Sequence, residues 1–290
     1  METTLQGKTY VVTGATSGIG LATASALVRR GAGVIGVGRC EERCRQAQAQ
    51  LLAVSPGAKV RYCLADLSLQ SQIRALNSQI RSLLAVDGKD SLDGLVNNAG
   101  VFTYWLALTA EGFETQWAVN YLAPFLLTNL LLSLLMAAPA GRVVTVSSDS
   151  HQGGRLNWQD LQLRRHYDGL RAYANTKLAN LLFTLEFNRL MGPHSTLKAF
   201  AADPGLVKTD IGFKGTPALV RWVWGRRRAA GVPAEKSVEG ILFLLTEPSL
   251  QDAADFYWKD KQARRASRRA VDKEAAALLW LQSEQMCGMA

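Results

Sequence analysis

Apolar residues along the chain fall into two kinds of stretch. Short continuous runs alternate with longer segments in which apolar positions recur every three or four residues. Residues 8–13 (KTYVVT) form a short β-rich run that ends in a glycine cluster, and residues 19–30 then have helical spacing. This predicts strand, turn, helix. Residues 33–37 read as the next strand, and the polar helical segment 41–53 stops before Ser55-Pro56-Gly57. Residues 60–64, 92–96, 142–147 and 197–201 continue the strands. Helices are expected over 73–84, over 111–136 with a break near Pro124, and from 171 to about 190. Beyond Ser237 the pattern predicts a helix to about 245, a short strand at 256–258 and a last helix over 273–281. Strands alternating with helices predict an α/β fold, a doubly wound parallel β-sheet with helices on both faces. Residues 212–233 break the rhythm with Gly, Pro, Trp and Arg, which suits an insertion or lid better than a domain boundary.

The composition narrows this picture. With 290 residues and 48% hydrophobic content the chain can bury a substantial core, and residues 1–290 are read as one domain with a lid insertion at 210–233. A formal charge of +9 favours anionic partners: nucleic acid, a membrane surface or a phosphorylated small molecule. Arg226, Arg227 and Arg228 form one local cluster and Arg264, Arg265, Arg268 and Arg269 another. Both are short and lack a recognised nucleic-acid motif, so solvated faces are their default reading. Cys40, Cys44, Cys63 and Cys287 have no metal-ligand spacing with the three histidines and no dense disulfide pattern, which fits a reducing, cytoplasmic setting and no metal. The start METTLQGKTYVVTG lacks a basic segment followed by a long apolar core, and so points away from a secretory signal or anchor. Residues 121–139 carry no charge and approach membrane-spanning length, but Pro124, Thr128, Asn129 and Ser133 favour a buried or interface helix.

Candidate chemistry concentrates in three places. Tyr173 and Lys177 stand one helical turn apart, so the phenol and the ammonium share a face. A phenol near pKa ~10 is tuned downward by a neighbouring cation, which makes the pair a candidate acid/base. Thr13-Gly14-Ala15-Thr16-Ser17-Gly18-Ile19-Gly20 lies between the first strand and first helix, where glycines admit a pyrophosphate and the helix start supplies positive potential. At the end of the second strand, where an NAD-specific protein places an acid to hold the ribose, stands Arg39. A guanidinium there suits a 2′-phosphate and favours NADP(H) over NAD(H).

Taken together, these motifs resemble the short-chain dehydrogenases/reductases over nearly the whole chain. They are Thr13–Gly20, Asp66-Leu67, Asn97-Asn98-Ala99-Gly100, Asn120, Ser147-Ser148, Tyr173 with Lys177, and Pro204-Gly205 with Thr209. The LQGKT start, the long segment between Ser148 and Tyr173, and YANTKLANLLFTLE look most like the retinol-dehydrogenase-like branch. The resemblance implies a Rossmann-type sheet. It further implies Tyr173 as proton donor or acceptor, Lys177 as its electrostatic tuner and a ribose ligand, Ser148 as the donor to the substrate oxygen, and Asn120 as holder of a water linking Lys177 to solvent. Cofactor contacts are implied for Gly14, Thr16, Ser17, Gly18, Ile19, Gly20, Arg39, Asp66, Leu67, Asn97, Ala99, Gly100, Pro204, Gly205, Val207 and Thr209. The activity implied is hydride transfer between NADP(H) and an aldehyde or ketone, or the reverse oxidation of an alcohol.

Two other readings are weaker. Ser148, Asp149, Ser150 and His151 suggest a hydrolase superficially, but no G-x-S-x-G elbow is present and sequence neighbours do not make a triad. His151 and His166 read as loop residues bordering the substrate opening. An NADP(H)-binding sensor or scaffold without turnover is the main alternative, against which stands the intact Asn120, Ser148, Tyr173 and Lys177 set. Phe102, Tyr104 and Trp105 give the substrate side a lipophilic character. Trp222 and Trp224 beside Arg226 suit a membrane surface, a closing flap or a subunit contact. Leu126, Leu127, Leu130, Leu131, Leu134 and Leu135 offer the apolar surface of a homo-oligomer interface, or of an ordinary core.

Overall fold

The computed structural model describes residues 4–205 and 234–289. The lid expectation at 210–233, with Val207, Thr209, Trp222, Trp224 and Arg226, lies outside the described residues. The chain begins β1 (Thr9–Thr13), α1 (Gly18–Arg29), β2 (Gly33–Gly38), α2 (Glu41–Val54), β3 (Val60–Leu64), α3 (Gln70–Val86) and β4 (Gly94–Asn97). It continues through α4 (Thr115–Trp117), a π-turn (Ala118–Leu122), α5 (Ala123–Leu130) and α6 (Leu132–Met136) to β5 (Arg142–Val146), α7 (Gly169–Met191) and β6 (Lys198–Asp203). After α8 (Ala234–Thr246) come β7 (Tyr257–Lys259), β8 (Gln262–Ala263) and α9 (Lys273–Met286).

One eight-stranded sheet results, in the order β3-β2-β1-β4-β5-β6-β7-β8. Every neighbouring pair as far as β7 is parallel, and β8 turns back antiparallel on β7. Successive strand residues face opposite sides, so Val11 joins one core while Tyr10 and Val12 join the other. The first core lies under α3, α5, α7 and α9, and the second under α1, α2 and α8. This is the doubly wound arrangement expected from the pattern, and it brings the C-terminal ends of seven parallel strands to one edge.

Several element ends shift by one to a few residues from the sequence expectation, and two of the shifts have a clear physical reason. Helix α3 starts at Gln70 rather than 73 because Glu111, far away in the chain, accepts the Gln70 N–H at 2.6 Å and the Ser71 N–H at 3.1 Å. A cap supplied by tertiary structure leaves no local mark. The segment 111–136 begins its helix only at Thr115, where Glu114 accepts the Gln116 and Trp117 N–H groups. Pro124 has no N–H to return to the carbonyl four residues back, and the backbone widens into the π-turn just before it. A second break follows at Leu131.

Most of the 121–135 segment is core. Leu126, Leu127, Leu131, Leu134 and Leu135 are buried within the chain, and Leu130 packs against them. Helix α9 covers this face: Trp280 stacks on Phe183 at 5.8 Å, meets Phe125 edge-on at 4.9 Å, and the Tyr121 hydroxyl lies 2.6 Å from Ser283 Oγ. The leucines proposed for an interface therefore do interior packing. No described helix is long and apolar enough to cross a membrane.

Candidate active site

The glycine turn after β1 is fixed by its neighbours. Gly14 has φ +65°, and a side chain at Gly20 would collide with the Gly14 carbonyl oxygen and the Asn98 amide, so helix α1 lies directly on the turn. Thr13 Oγ1 accepts from the Asn98 and Ala99 N–H groups at 3.0 and 3.1 Å, and Asn98 Nδ2 donates to the Thr13 carbonyl at 2.8 Å. Asn98 thus locks the first turn to the turn after β4. From below, the Tyr62 hydroxyl donates to the Ala15 carbonyl at 2.7 Å while its ring fills the space over Gly36. The sequence marks Asn98 only as part of the Asn97–Gly100 motif and does not mark Tyr62; the glycine in the middle of β2 is the signal that a large side chain approaches there. Ser17 caps α1 without a side-chain bond and no acid stands in the first turn, so the positive end of the helix faces the sheet edge.

Arg39 follows β2 on this edge, is exposed, and has no hydrogen-bond or ion-pair partner among the described residues. Asp66 and Leu67 follow β3, with Asp66 Oδ1 accepting the Ser68 N–H at 2.9 Å. Asn97 turns its side chain into the sheet, where Nδ2 donates to Thr128 Oγ1 at 3.0 Å, so the cleft meets this stretch at Asn98, Ala99 and Gly100 rather than at the Asn97 amide.

At the other end of the edge, helix α7 carries Tyr173 and Lys177. Asp168 caps it by accepting the Arg171 N–H at 2.8 Å, and a side chain at Gly169 would strike the Thr103 carbonyl, so the helix start presses against the loop after β4. Lys177 is buried, donates from Nζ to the Val146 carbonyl at 2.9 Å, and sits 5.3 Å from the centre of the Tyr173 ring. Phe102 meets the same ring edge-on at 6.0 Å. Asn120, buried in the π-turn, accepts the Val101 N–H at Oδ1 (2.8 Å), and its Nδ2 donates to the Val101 carbonyl at 2.9 Å and to Thr176 Oγ1 of α7 at 3.4 Å. The serines after β5 divide their roles: Ser147 is buried and donates to the Lys177 carbonyl at 3.2 Å, whereas Ser148 is partly open and accepts the Ser150 N–H at 3.2 Å.

Charge in this corner departs from the sequence expectation. Burial, and then Asp203, push the Tyr173 phenol up to about 12, so the expected lowering by Lys177 is not what the protein's own groups produce. Burial pushes Lys177 down to about 8, against an opposing pull from Asp203. At neutral pH the phenol keeps its proton and Lys177 still carries its charge, closer to its pKa than an exposed lysine would be.

A family model described as short chain dehydrogenase matches residues 8–217. The chain belongs to the short-chain dehydrogenases/reductases. Curated relatives of this short-chain dehydrogenase include retinol dehydrogenase 14 of Mus musculus, 35% identical over 302 residues covering 98% of this chain and 87% of that protein. Polyprenol dehydrogenase of Homo sapiens is 32% identical over 292 residues, covering 96% and 84%. A crystal structure of an uncharacterized protein from Mycobacterium paratuberculosis matches with TM-score 0.72 and 33% identity over 99% of this chain and 95% of that one. A Shigella flexneri short chain dehydrogenase complexed with NADP has TM-score 0.69 and 23% identity over 90% and 100%, a likeness of fold. The protein is therefore a retinol-dehydrogenase-like oxidoreductase of the short-chain family with a nucleotide-binding, Rossmann-type sheet.

Proposed function

We propose that this short-chain dehydrogenase is an NADP(H)-dependent enzyme interconverting a lipophilic aldehyde or ketone with its alcohol, Tyr173 acting as acid/base. The observation that carries this reading is the convergence of Tyr173, Lys177, Ser148 and Asn120 on one end of the sheet edge whose other end holds the glycine turn and Arg39. The cofactor fits the donor set. A helix start whose cap residue leaves its N–H groups without a side-chain bond suits the pyrophosphate, the unpaired Arg39 guanidinium suits a 2′-phosphate, and Asp66 with Leu67 on one side and the turn at Ala99 and Gly100 on the other flank them along the sheet edge. Lys177, Pro204 and Gly205 would hold its nicotinamide half, and Gly14, Thr16, Ser17, Gly18, Ile19 and Gly20 its phosphates. Val207 and Thr209, proposed as further contacts, continue beyond Gly205.

Bound NADPH supplies the hydride. Tyr173 delivers its proton to the substrate oxygen, a task for which a phenol still protonated at neutral pH is ready. Ser148 donates a hydrogen bond to the same oxygen as negative charge grows on it. Lys177 holds positive charge behind the phenol, and Asn120 fixes the turn after β4 against α7. A lipophilic substrate is supported by Phe102 against Tyr173 and by the exposed Trp105, Leu106 and Leu108 beyond it, and by relatives named for retinol and polyprenol, both long apolar alcohols.

A screen of cofactor consumption over aldehydes, ketones and retinoid- or steroid-like carbonyls, run with NADPH and with NADH, tests the reading. Turnover is expected with NADPH, and in Arg39→Asp the preference over NADH should fall by about tenfold or more, the size of one charged hydrogen bond. Cofactor binding with no consumption across the screen would instead indicate a sensor.

A further inference from the structure

Beside the residues that the proposed reaction uses, a second cluster of charged and phenolic groups sits on the same sheet edge. Asp149 directly follows Ser148, and Asp203 ends β6 directly before Pro204 and Gly205. Both carboxylates converge on Lys259 of β7, whose Nζ lies 2.7 Å from Asp149 Oδ2 and 3.1 Å from Asp203 Oδ2. The Tyr257 hydroxyl, two residues earlier on the same face, reaches Asp149 Oδ1 at 3.0 Å and Asp203 Oδ2 at 3.3 Å. The other Asp203 oxygen accepts the Gly205 N–H at 2.8 Å, and a Cβ on Gly205 would stand 3.9 Å from Lys259 Cε. One lysine thus spans two turns that lie far apart in sequence.

A surface ion pair contributes little, but Asp203 is buried and two acids share this one cation. Burial opposes the Lys259 charge, yet the bonds to Asp149 and Asp203 outweigh it and raise its pKa, so the cation persists. The Lys259 backbone is held in β7 by its pairing with Gln262 across a two-residue hairpin. Asp260 and Lys261 make the two-residue turn between β7 and β8 with φ of 51° and 62°, a left-handed conformation unfavourable for residues with a side chain. Lys261 anchors that turn to Glu239 of α8 at 2.8 Å. On the other side, His151 Nδ1 bonds the Ser148 carbonyl at 2.9 Å and its ring meets Tyr257 edge-on at 5.0 Å.

We propose that Lys259 is a positioning residue of the reaction centre: by gripping Asp149 and Asp203 together it fixes the Ser148 turn and the Pro204-Gly205 turn at a set spacing on either side of the reacting atoms. The inference rests on the reading of Ser148 and Pro204-Gly205 given above. Without the cation, two carboxylates face each other and the Ser148 turn is pushed outward. A displacement of about 1 Å at such a site can cost up to roughly a hundredfold in rate.

The test uses the full chain, with kcat and KM for carbonyl and NADPH, NADPH binding by fluorescence, and thermal melting, for wild type, Lys259→Met, Lys259→Arg and Asp149→Asn. Lys259→Met should lower kcat for carbonyl reduction by about tenfold or more while NADPH affinity stays within about twofold, and Lys259→Arg should recover most of the loss. Asp149→Asn removes only the exposed end of the bridge, so it stays folded and decides the matter if Lys259→Met does not; a severalfold fall in kcat is expected. Wild-type kcat in Lys259→Met or in a folded Asp149→Asn, or a loss that Lys259→Arg does not rescue, overturns the positioning role alone. A wild-type protein that consumes no NADPH with any carbonyl overturns the proposed function together with it.

Discussion

At Lys177, burial and hydrogen bonding pull in opposite directions. Its ammonium is removed from water, which pushes the pKa from 10.5 down to about 8, yet Nζ still donates to the Val146 carbonyl. The Tyr173 phenol, pushed up to about 12, keeps its proton throughout the neutral range. In reduction the cation is therefore the group lost first as pH rises. For carbonyl reduction, kcat/KM should be level at neutral pH and fall as pH rises through about 8, read from a profile between about pH 6 and about pH 10. A level profile to the upper end would mean that the Lys177 charge does not matter. At this scale Tyr173, Lys177, the glycine turn and Arg39 were legible because each combines a residue type with a position relative to a strand or helix. Lys259 was not. Its partners are 110 and 56 residues away and meet it only because β5, β6 and β7 lie side by side.

Among the elements, the alternation of strand and helix was readable because both faces of the sheet are covered and its central strands, β1, β2, β4 and β5, are nearly continuous buried runs. What escaped was structure set by contacts from elsewhere, such as the Glu111 cap on α3, or by too few residues to show a period, such as β8. The apolar 121–136 segment could be read as an interface or a core helix from sequence. Helix α9 decides for the core by laying Trp280 among Phe125, Phe183 and Phe187. Trp280→Ala should therefore cost roughly 2–4 kcal/mol and lower the melting temperature by several degrees. A calorimetric scan that leaves the melting temperature unchanged would show that α9 adds little to this core.

Over the whole molecule, the parallel sheet gathers groups from the ends of six strands along one line: Asp66 after β3, Arg39 after β2, the glycine turn after β1, Ala99 and Gly100 after β4, Ser148 after β5 and Pro204 after β6. The strand order reverses between β1 and β4, which opens the crevice where open α/β sheets bind ligands. Arg39 and the helix α1 start toward one end and a buried phenol with an ammonium toward the other are what the proposed use by an anionic cofactor rests on. The net charge of +9 is consistent with that use without requiring nucleic acid. The most direct check on Tyr173 as the acid/base compares wild type with Tyr173→Phe, following NADPH consumption with a carbonyl that the wild-type protein reduces and NADPH binding in parallel. Turnover should fall by about a thousandfold or more while NADPH affinity is kept; a Tyr173→Phe protein that turns over at near the wild-type rate would contradict the role assigned to Tyr173.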